Sequence, residues 1–358
     1  MKHCSFVDMK RGDGSGFNLE WIKKIFWILA FSFTAYGLFK IEQKLLSVDL
    51  PEPGQNVKIY ANQVRDDLQL TFCTAISQAK KSIVLIIYSL QDQKILHALQ
   101  KKANEGVRVK IFCDVGVRNS IMYQLGPHVE MVKIESKKLM HQKILLIDEE
   151  QIWIGSSNMT TDSLRMYGNL VVGMVHPEFA GLILRKVDEF SPNAHRKAIP
   201  KQTFAVGKQR VEFWFLPDNP EADKHLIQLI NQAQKDIRIA MYTWTHRELA
   251  LAVIHAFKRG VHVEVVIDAK AGKGAGAAIV KLLKQEKIPA SLSLPGPMLH
   301  HKFAYIDHKI LVNGSTNWTK GAFADNDDCF MVIYDLSVEQ QAKMDALWDV
   351  IVLESEPI

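Results

Sequence analysis

The chain has 358 residues, of which 47% are hydrophobic and 23% charged, with 20 Gly and 12 Pro. That composition suits a folded chain of about two domains and excludes a disordered, collagen-like or polytopic membrane protein. The 44 Lys+Arg against 39 Asp+Glu leave a net charge of +5, which permits an anionic partner without demanding one. The four Cys (Cys4, Cys73, Cys113, Cys329) have no zinc-ligand spacing and suggest no disulfide scaffold.

In chain order, residues 1–20 read as a short tail. Ile25 to Phe39 is an uncharged, mostly apolar run preceded by Lys23 and Lys24. Extended back to Trp21 it would be about 28 Å long as a helix, so residues 21–40 are expected to form an N-terminal transmembrane anchor. Lys10, Arg11, Lys23 and Lys24 precede it and only Lys40 and Lys44 follow closely. That bias puts the remainder on the extracytoplasmic side. Residues 41–57, with Pro51, Pro53 and Gly54, read as a linker.

The rest of the chain repeats itself. Residues 75–114 align with 229–268 at one constant offset, with identities that include Tyr88/Tyr242, Gly106/Gly260 and Asp114/Asp268. Each copy reads helix, strand, helix, strand. Ser82–Tyr88 is a continuous apolar run, as in a strand buried on both faces. Gln93–Asn104 has helical spacing and stops at Gly106. Val107–Val115, His128–Ile134, Lys143–Ile147 and Gln151–Ile154 follow as strands, the last two joined by an acidic turn, and Pro177–Phe190 closes the copy as a helix. The expected fold is α/β: two repeated α/β/α domains with mixed central sheets, residues 58–197 and 208–358, related by a pseudo-two-fold axis. Asn193–Gly207 would join them.

The duplication carries a polar constellation. The first copy has His141-Gln-Lys143, Asp148, then Gly155-Ser156-Ser157-Asn158; the second has His300-His-Lys302, Asp307, then Gly314-Ser315-Thr316-Asn317. The spacings agree throughout. Two complete matches of H-x-K-x4-D-x6-G-S-x-N are far more specific than one stray His near a Lys.

With both motifs in place, residues 58–358 resemble the phospholipase D superfamily. The segment MLHHKFAYIDHKILVNGSTNWT is similar to its mitochondrial cardiolipin-hydrolase and bacterial nuclease branch. That branch has one motif per chain and dimerises, so this chain resembles a fused dimer, a monomer with two half-sites. The residue types suit the chemistry on their own terms. On a strand, His and Lys two apart face the same way. Two facing copies would gather two imidazoles and two ammoniums around a phosphate. Lys143 and Lys302 would supply positive charge, and Gly155 and Gly314 would allow close backbone approach. Ser156, Asn158, Ser315 and Asn317 would donate hydrogen bonds to phosphate oxygens. One His would attack phosphorus and the other would shuttle the proton, with no metal or other cofactor required. The resemblance implies that Asp148 and Asp307 are structural.

The resemblance also implies a residue further along that orients each His. Asp328 stands there in the second copy, where it would orient His300, and Asn169 stands at the same distance from His141. Family habit makes His141 the nucleophile and His300 the general acid/base; the carboxylate beside His300 argues for the reverse. The expected activity is hydrolysis of phospholipid head groups at a membrane. The alternatives are a nuclease acting on nucleic acid, a cardiolipin synthase-like phosphatidyltransferase, and a membrane-bound anion-binding scaffold. The glycine-rich Lys270–Ala277 stretch would be a flexible loop at the site mouth, and Trp244 and Trp318 core residues.

Overall fold

Apolar runs flanked by turn residues become the central strands of two sheets. The computed structural model describes residues 19–45, 48–117, 120–190 and 197–358. These fall into two compact units, Met1–Asp49 and Leu50–Ile358.

Among the described residues, the first unit contains one helix, α1 (Leu19–Leu45). Its Trp27, Phe31 and Phe33 are 70%, 76% and 80% exposed. Among the described residues no helix is long and apolar enough to cross a membrane, so the transmembrane helix expected at 21–40 is not found. Lys23 and Lys24 interrupt the start of α1, and the 15 uncharged residues 25–39 would reach only about 22 Å, short of a bilayer core.

The first repeat runs β1 (Lys58–Ala61), α2 (Leu68–Gln78), β2 (Ser82–Ile87), α3 (Gln93–Asn104), β3 (Arg108–Asp114), α4 (Ser120–Leu125), β4 (Val129–Ile134), β5 (Lys143–Ile147), β6 (Gln151–Gly155), α5 (Thr161–Arg165), β7 (Leu170–Val175) and α6 (Pro177–Asp188). Its sheet has the order β1-β7-β6-β5-β2-β3-β4. β2, β3 and β4 are parallel, joined by helical crossovers, and the other neighbours are antiparallel. All six residues of β2 are buried, as its unbroken apolar run requires.

The second repeat continues with β8 (Gln202–Val206), β9 (Gln209–Leu216), α7 (Ala222–Gln232), β10 (Asp236–Met241), α8 (Arg247–Lys258), β11 (His262–Ile267), α9 (Ala269–Lys273), α10 (Ala277–Gln285), β12 (Ala290–Ser293), β13 (Lys302–Ile306), β14 (Ile310–Gly314), α11 (Lys320–Ala324), β15 (Asp328–Ile333), α12 (Val338–Leu353) and β16 (Ser355–Pro357). The sheet order is β16-β12-β11-β10-β13-β14-β15-β9-β8. Its middle repeats the first sheet, and β8 and β16 are added at the edges. β8 lies inside the segment expected only to join the repeats; it pairs antiparallel with β9. The Lys270–Ala277 stretch is mostly helical, because Asp268 caps α9 through the Ala271 N–H and α10 begins at Ala277.

One apolar core serves both repeats. Ile86, Ile144 and Leu146 of the first sheet join Phe213, Phe303, Tyr305 and Met331 of the second, with Phe179 and Ile183 of α6 and Leu347 and Trp348 of α12. Trp244 and Trp318 are buried edge to face in a second cluster, as core residues.

The acidic turns fix the ends of the strands that bear the motif lysines. Asp148 and Glu149 (φ 53° and 63°), like Asp307 and His308 (φ 53° and 56°), are left-handed, as a tight hairpin turn demands. The Asp148 carboxylate accepts hydrogen bonds from the Lys80, Lys81 and Ser82 N–H groups, and Asp307 accepts the equivalent three from Gln234, Lys235 and Asp236. Burial works against the Asp148 charge, but these N–H groups more than offset it and hold the carboxyl below its ordinary range. Removing the acceptor leaves three donors to find water. Asp148→Ala or Asp307→Ala should each lower stability by about 2 kcal/mol, measured by urea unfolding, while turnover per folded molecule stays near wild type. A loss of turnover in fully folded protein would contradict a structural role.

Candidate active site

His141 and His300 each stand two residues before the first residue of a central strand, beside the end of the strand that pairs with it. Lys143 is opposite Ile87 on β2 and Lys302 opposite Met241 on β10. Tyr88 and Tyr242, next along, pack their rings against His141 and His300 at 5.2 and 5.1 Å. The same rings lie under the Lys143 and Lys302 ammoniums at 5.4 and 4.9 Å. Each ammonium also donates to the carbonyl of its own motif histidine, at 2.6 and 2.8 Å. A lysine held in this way is a fixed charge rather than a mobile one.

The residue before each histidine is also tied down. Asp114, at the end of β3, accepts from the Met140 N–H, and Asp268, just after β11, accepts from Leu299 N–H. These carboxylates were not singled out as site residues in the sequence, nor were the two tyrosines. The signal was available, because all four are identical between the copies.

The repeats meet through two reciprocal bridges. Met140 pairs with Asp327, and Leu299 with Gly168. The His141 N–H donates to Asp327 O, and the Gly168 N–H to Met298 O. The next residue of each passing segment therefore arrives beside the histidine of the other repeat. Asp328 Oδ1 is 3.1 Å from His141 Nδ1, and Asn169 Oδ1 is 3.0 Å from His300 Nδ1. This corrects the expected pairing of Asp328 with His300: the orienting residues cross between repeats.

The serines and glycines also have different work from that expected. Ser156 and Ser315 are fully buried. The Ser156 hydroxyl donates to Asn169 Oδ1 at 2.8 Å and accepts from Leu170 N–H, and Ser315 donates to Asp328 Oδ1 and accepts from Cys329 N–H. They fix the orienting side chains and do not face a ligand. A Cβ on Gly155 would lie 2.3 Å from Leu170 O, and one on Gly314 2.3 Å from Cys329 O. Glycine is needed there for the approach of a neighbouring strand. Asn158 and Asn317 keep a buried amide oxygen with no protein partner; that oxygen can only accept, so it is their amide NH2 groups that would meet a phosphate oxygen.

The electrostatics follow from burying four basic groups together. Burial pushes His141 below its ordinary value, Lys143 adds to that, and Asp328 pulls the other way. His300 is pushed well below, by burial first and then by Lys302, Lys143 and His141, with no carboxylate to compensate. Burial brings Lys143 down to about 8 and Lys302 well below the lysine range. Burial alone would raise Asp328; His141, Lys143 and Ser315 outweigh it and keep it a carboxylate. A site so rich in compressed positive charge is built for an anion.

A family profile described as "Cardiolipin synthase, PLD-like domain" matches residues 72–190 and again 226–348. The chain belongs to the phospholipase D superfamily. It has both half-sites of a phosphodiesterase of that superfamily in one polypeptide. The mitochondrial cardiolipin hydrolase of Chlamydomonas reinhardtii is 30% identical over 132 residues, covering 36% of this chain and 59% of its own. The chain spans 47% to 64% of the length of this and other cardiolipin hydrolases. Cardiolipin synthase B of Salmonella typhi is 22% identical over 322 residues, which cover 79% of this chain and 78% of that one. The phosphatidylserine synthase of Haemophilus influenzae Rd KW20 superimposes with a TM-score of 0.66 over 89% of this chain and 91% of its own, at 14% identity, a likeness of fold.

The crossed pairing has a direct readout. Replacing Asp328 removes the one group that raises the His141 pKa, and placing a carboxylate at 169 supplies one to His300. In Asp328→Asn the His141 imidazole should titrate lower than in wild type, and in Asn169→Asp the His300 imidazole should titrate higher. NMR titration of the two rings measures both. A shift of His300 in Asp328→Asn with His141 unmoved would refute the crossing.

Proposed function

We propose that this chain is a phosphatidyltransferase of cardiolipin synthase type, which moves a phosphatidyl group from one phospholipid to an alcohol on another. The observation that carries this reading is the match to cardiolipin synthase B, which runs through both repeats and so through both half-sites. The hydrolase matches cover about a third of the chain. The site itself supports the choice: both histidines are 7% exposed, and a water-poor site favours a positioned alcohol over solvent as acceptor.

In this reading His141 is the nucleophile. Asp328 accepts from its Nδ1–H, which leaves the Nε2 lone pair to attack phosphorus. The P–O bond to the head-group alcohol breaks, and His300 Nε2–H gives that oxygen its proton. The resulting phosphohistidine is cationic on the ring, and the Asp328 carboxylate compensates it. The acceptor hydroxyl then loses its proton to His300 Nε2, its oxygen attacks phosphorus, and the P–N bond breaks. Lys143 and Lys302 hold the phosphate oxygens throughout, with the Asn158 and Asn317 amides. His300 has only the neutral Asn169 beside it, so the bound phosphate is what raises its pKa enough to act as an acid. The family habit and the carboxylate argument thus favour the same nucleophile.

Hydrolysis of a phospholipid is the second reading, favoured by the 30% identity to a cardiolipin hydrolase. Membrane attachment belongs to either version, supported by the exposed apolar side chains of α1.

Vesicles of phosphatidylglycerol, alone and with phosphatidylethanolamine, separate the readings. Transfer gives cardiolipin and a free head-group alcohol; hydrolysis gives phosphatidate. Phosphatidate as the sole product would overturn the transferase reading, and cleavage of single-stranded DNA with lipids untouched would overturn both. Rapid quenching with a 32P-phosphatidyl donor should place the label on His141, and His141→Asn should abolish turnover by at least roughly a thousandfold. The kcat/KM should fall as pH rises through about 8, where Lys143 loses its proton.

A further inference from the structure

The two flanks of the site are homologous in position and opposite in character. Beside His141, the segment 135–139 (Glu-Ser-Lys-Lys-Leu) is clamped by charge. Lys137 and Lys138 both pair with Asp325, and Ser136 donates to Asp327. Beside His300, the equivalent segment 294–298 (Leu-Pro-Gly-Pro-Met) has no charge and no polar side chain. Met166 stands where Asp325 does in the other copy. Met166 is 58% exposed and Leu294 44%. Gly168, two residues after Met166, bridges Leu299, the residue before His300. Outside α1, few large apolar side chains among the described residues are as exposed as these two.

An in-line displacement fixes which flank meets which group. The nucleophile and the departing alcohol lie on opposite sides of phosphorus. With His141 as nucleophile, the alcohol that leaves, and the alcohol that replaces it, lie on the His300 side. We propose that the wall formed by Met166, Leu294, Pro295 and Pro297 is the acceptor subsite, and that it selects an alcohol carried on a lipid over a small soluble one. The inference rests on the transferase reading and deepens it. A soluble alcohol gains nothing from an apolar wall. A lipid alcohol lays its glycerol and upper acyl carbons there, at about 25 cal/mol for each Å² of apolar surface covered. The flank beside His141 also exposes Leu139, at 37%, but sets it among the Lys137, Lys138 and Asp325 charges, so the two sides of the phosphate are told apart by their ion pairs. Arg165, exposed just before Met166, stands on the same side as the phosphate an anionic lipid acceptor would bring.

The test is a competition between acceptors in the full-length protein. Vesicles supply a phosphatidyl donor and phosphatidylglycerol as lipid acceptor, ethanol is added as the soluble one, and cardiolipin and phosphatidylethanol are both measured. In the double variant Met166→Glu/Leu294→Glu, cardiolipin formation should fall at least tenfold relative to phosphatidylethanol. The phosphatidylethanol rate shows in the same tube that the variant is folded and forms the intermediate. Val338→Glu, at an 82% exposed apolar residue on α12, should leave the ratio at its wild-type value. An unchanged ratio in the double variant, with cardiolipin still made by wild type, would overturn the acceptor wall. A wild type that makes neither transfer product would instead overturn the transferase reading, and the wall with it.

Discussion

The site depends on two short backbone bridges. Met140 with Asp327, and Leu299 with Gly168, are single pairings at the seam between repeats. Neither belongs to either sheet. Yet they set the register in which one repeat passes the other, and a shift of one residue there would turn Asp328 and Asn169 away from the imidazoles. The large shared core beneath them supplies the energy that holds the seam, and the bridges convert it into position. Asp114 and Asp268 hold the same backbone from the other side.

On that symmetric frame the chemistry is asymmetric. One imidazole has a carboxylate and the other an amide, although the surrounding serines, lysines and tyrosines match. The difference of one side-chain group separates the two rings in charge preference while their geometry stays alike. That is the arrangement a double displacement needs, since one ring must bear a phosphoryl group and the other a proton. The flanks repeat the pattern, with ion pairs on one side and bare apolar chain on the other.

Much of this was legible in the residues. The unbroken apolar strands, the helix ended at Gly106, the duplication and both His-x-Lys motifs could be read directly, because each rests on local periodicity or fixed spacing. Asp148 and Asp307 were readable as turn residues. The crossing was not. Equal spacing from His300 to Asp328 and from His141 to Asn169 suggests partnership within a copy, and only the path of the chain at the seam reverses it. Ser156 and Ser315 looked like ligand donors because nothing in spacing says that a hydroxyl is already spent. Gly155 and Gly314 were correctly read as places of close approach, but by a strand and not by a ligand. β8 was missed because it is a short edge strand inside a polar stretch. The apolar run at 21–40 reaches the length of a span only when counted through Lys23 and Lys24.

The exchange of partners has a consequence for how such a chain can change over generations. Each histidine answers to a residue encoded in the other half of the gene. A substitution at 328 alters the ring at 141, and one at 169 alters the ring at 300. The two copies are therefore free to drift apart in their outer layers but not at this seam, where each is the other's environment. Two halves that repeat in sequence thus act as one unit, and the carboxylate present on one side only gives that unit a direction.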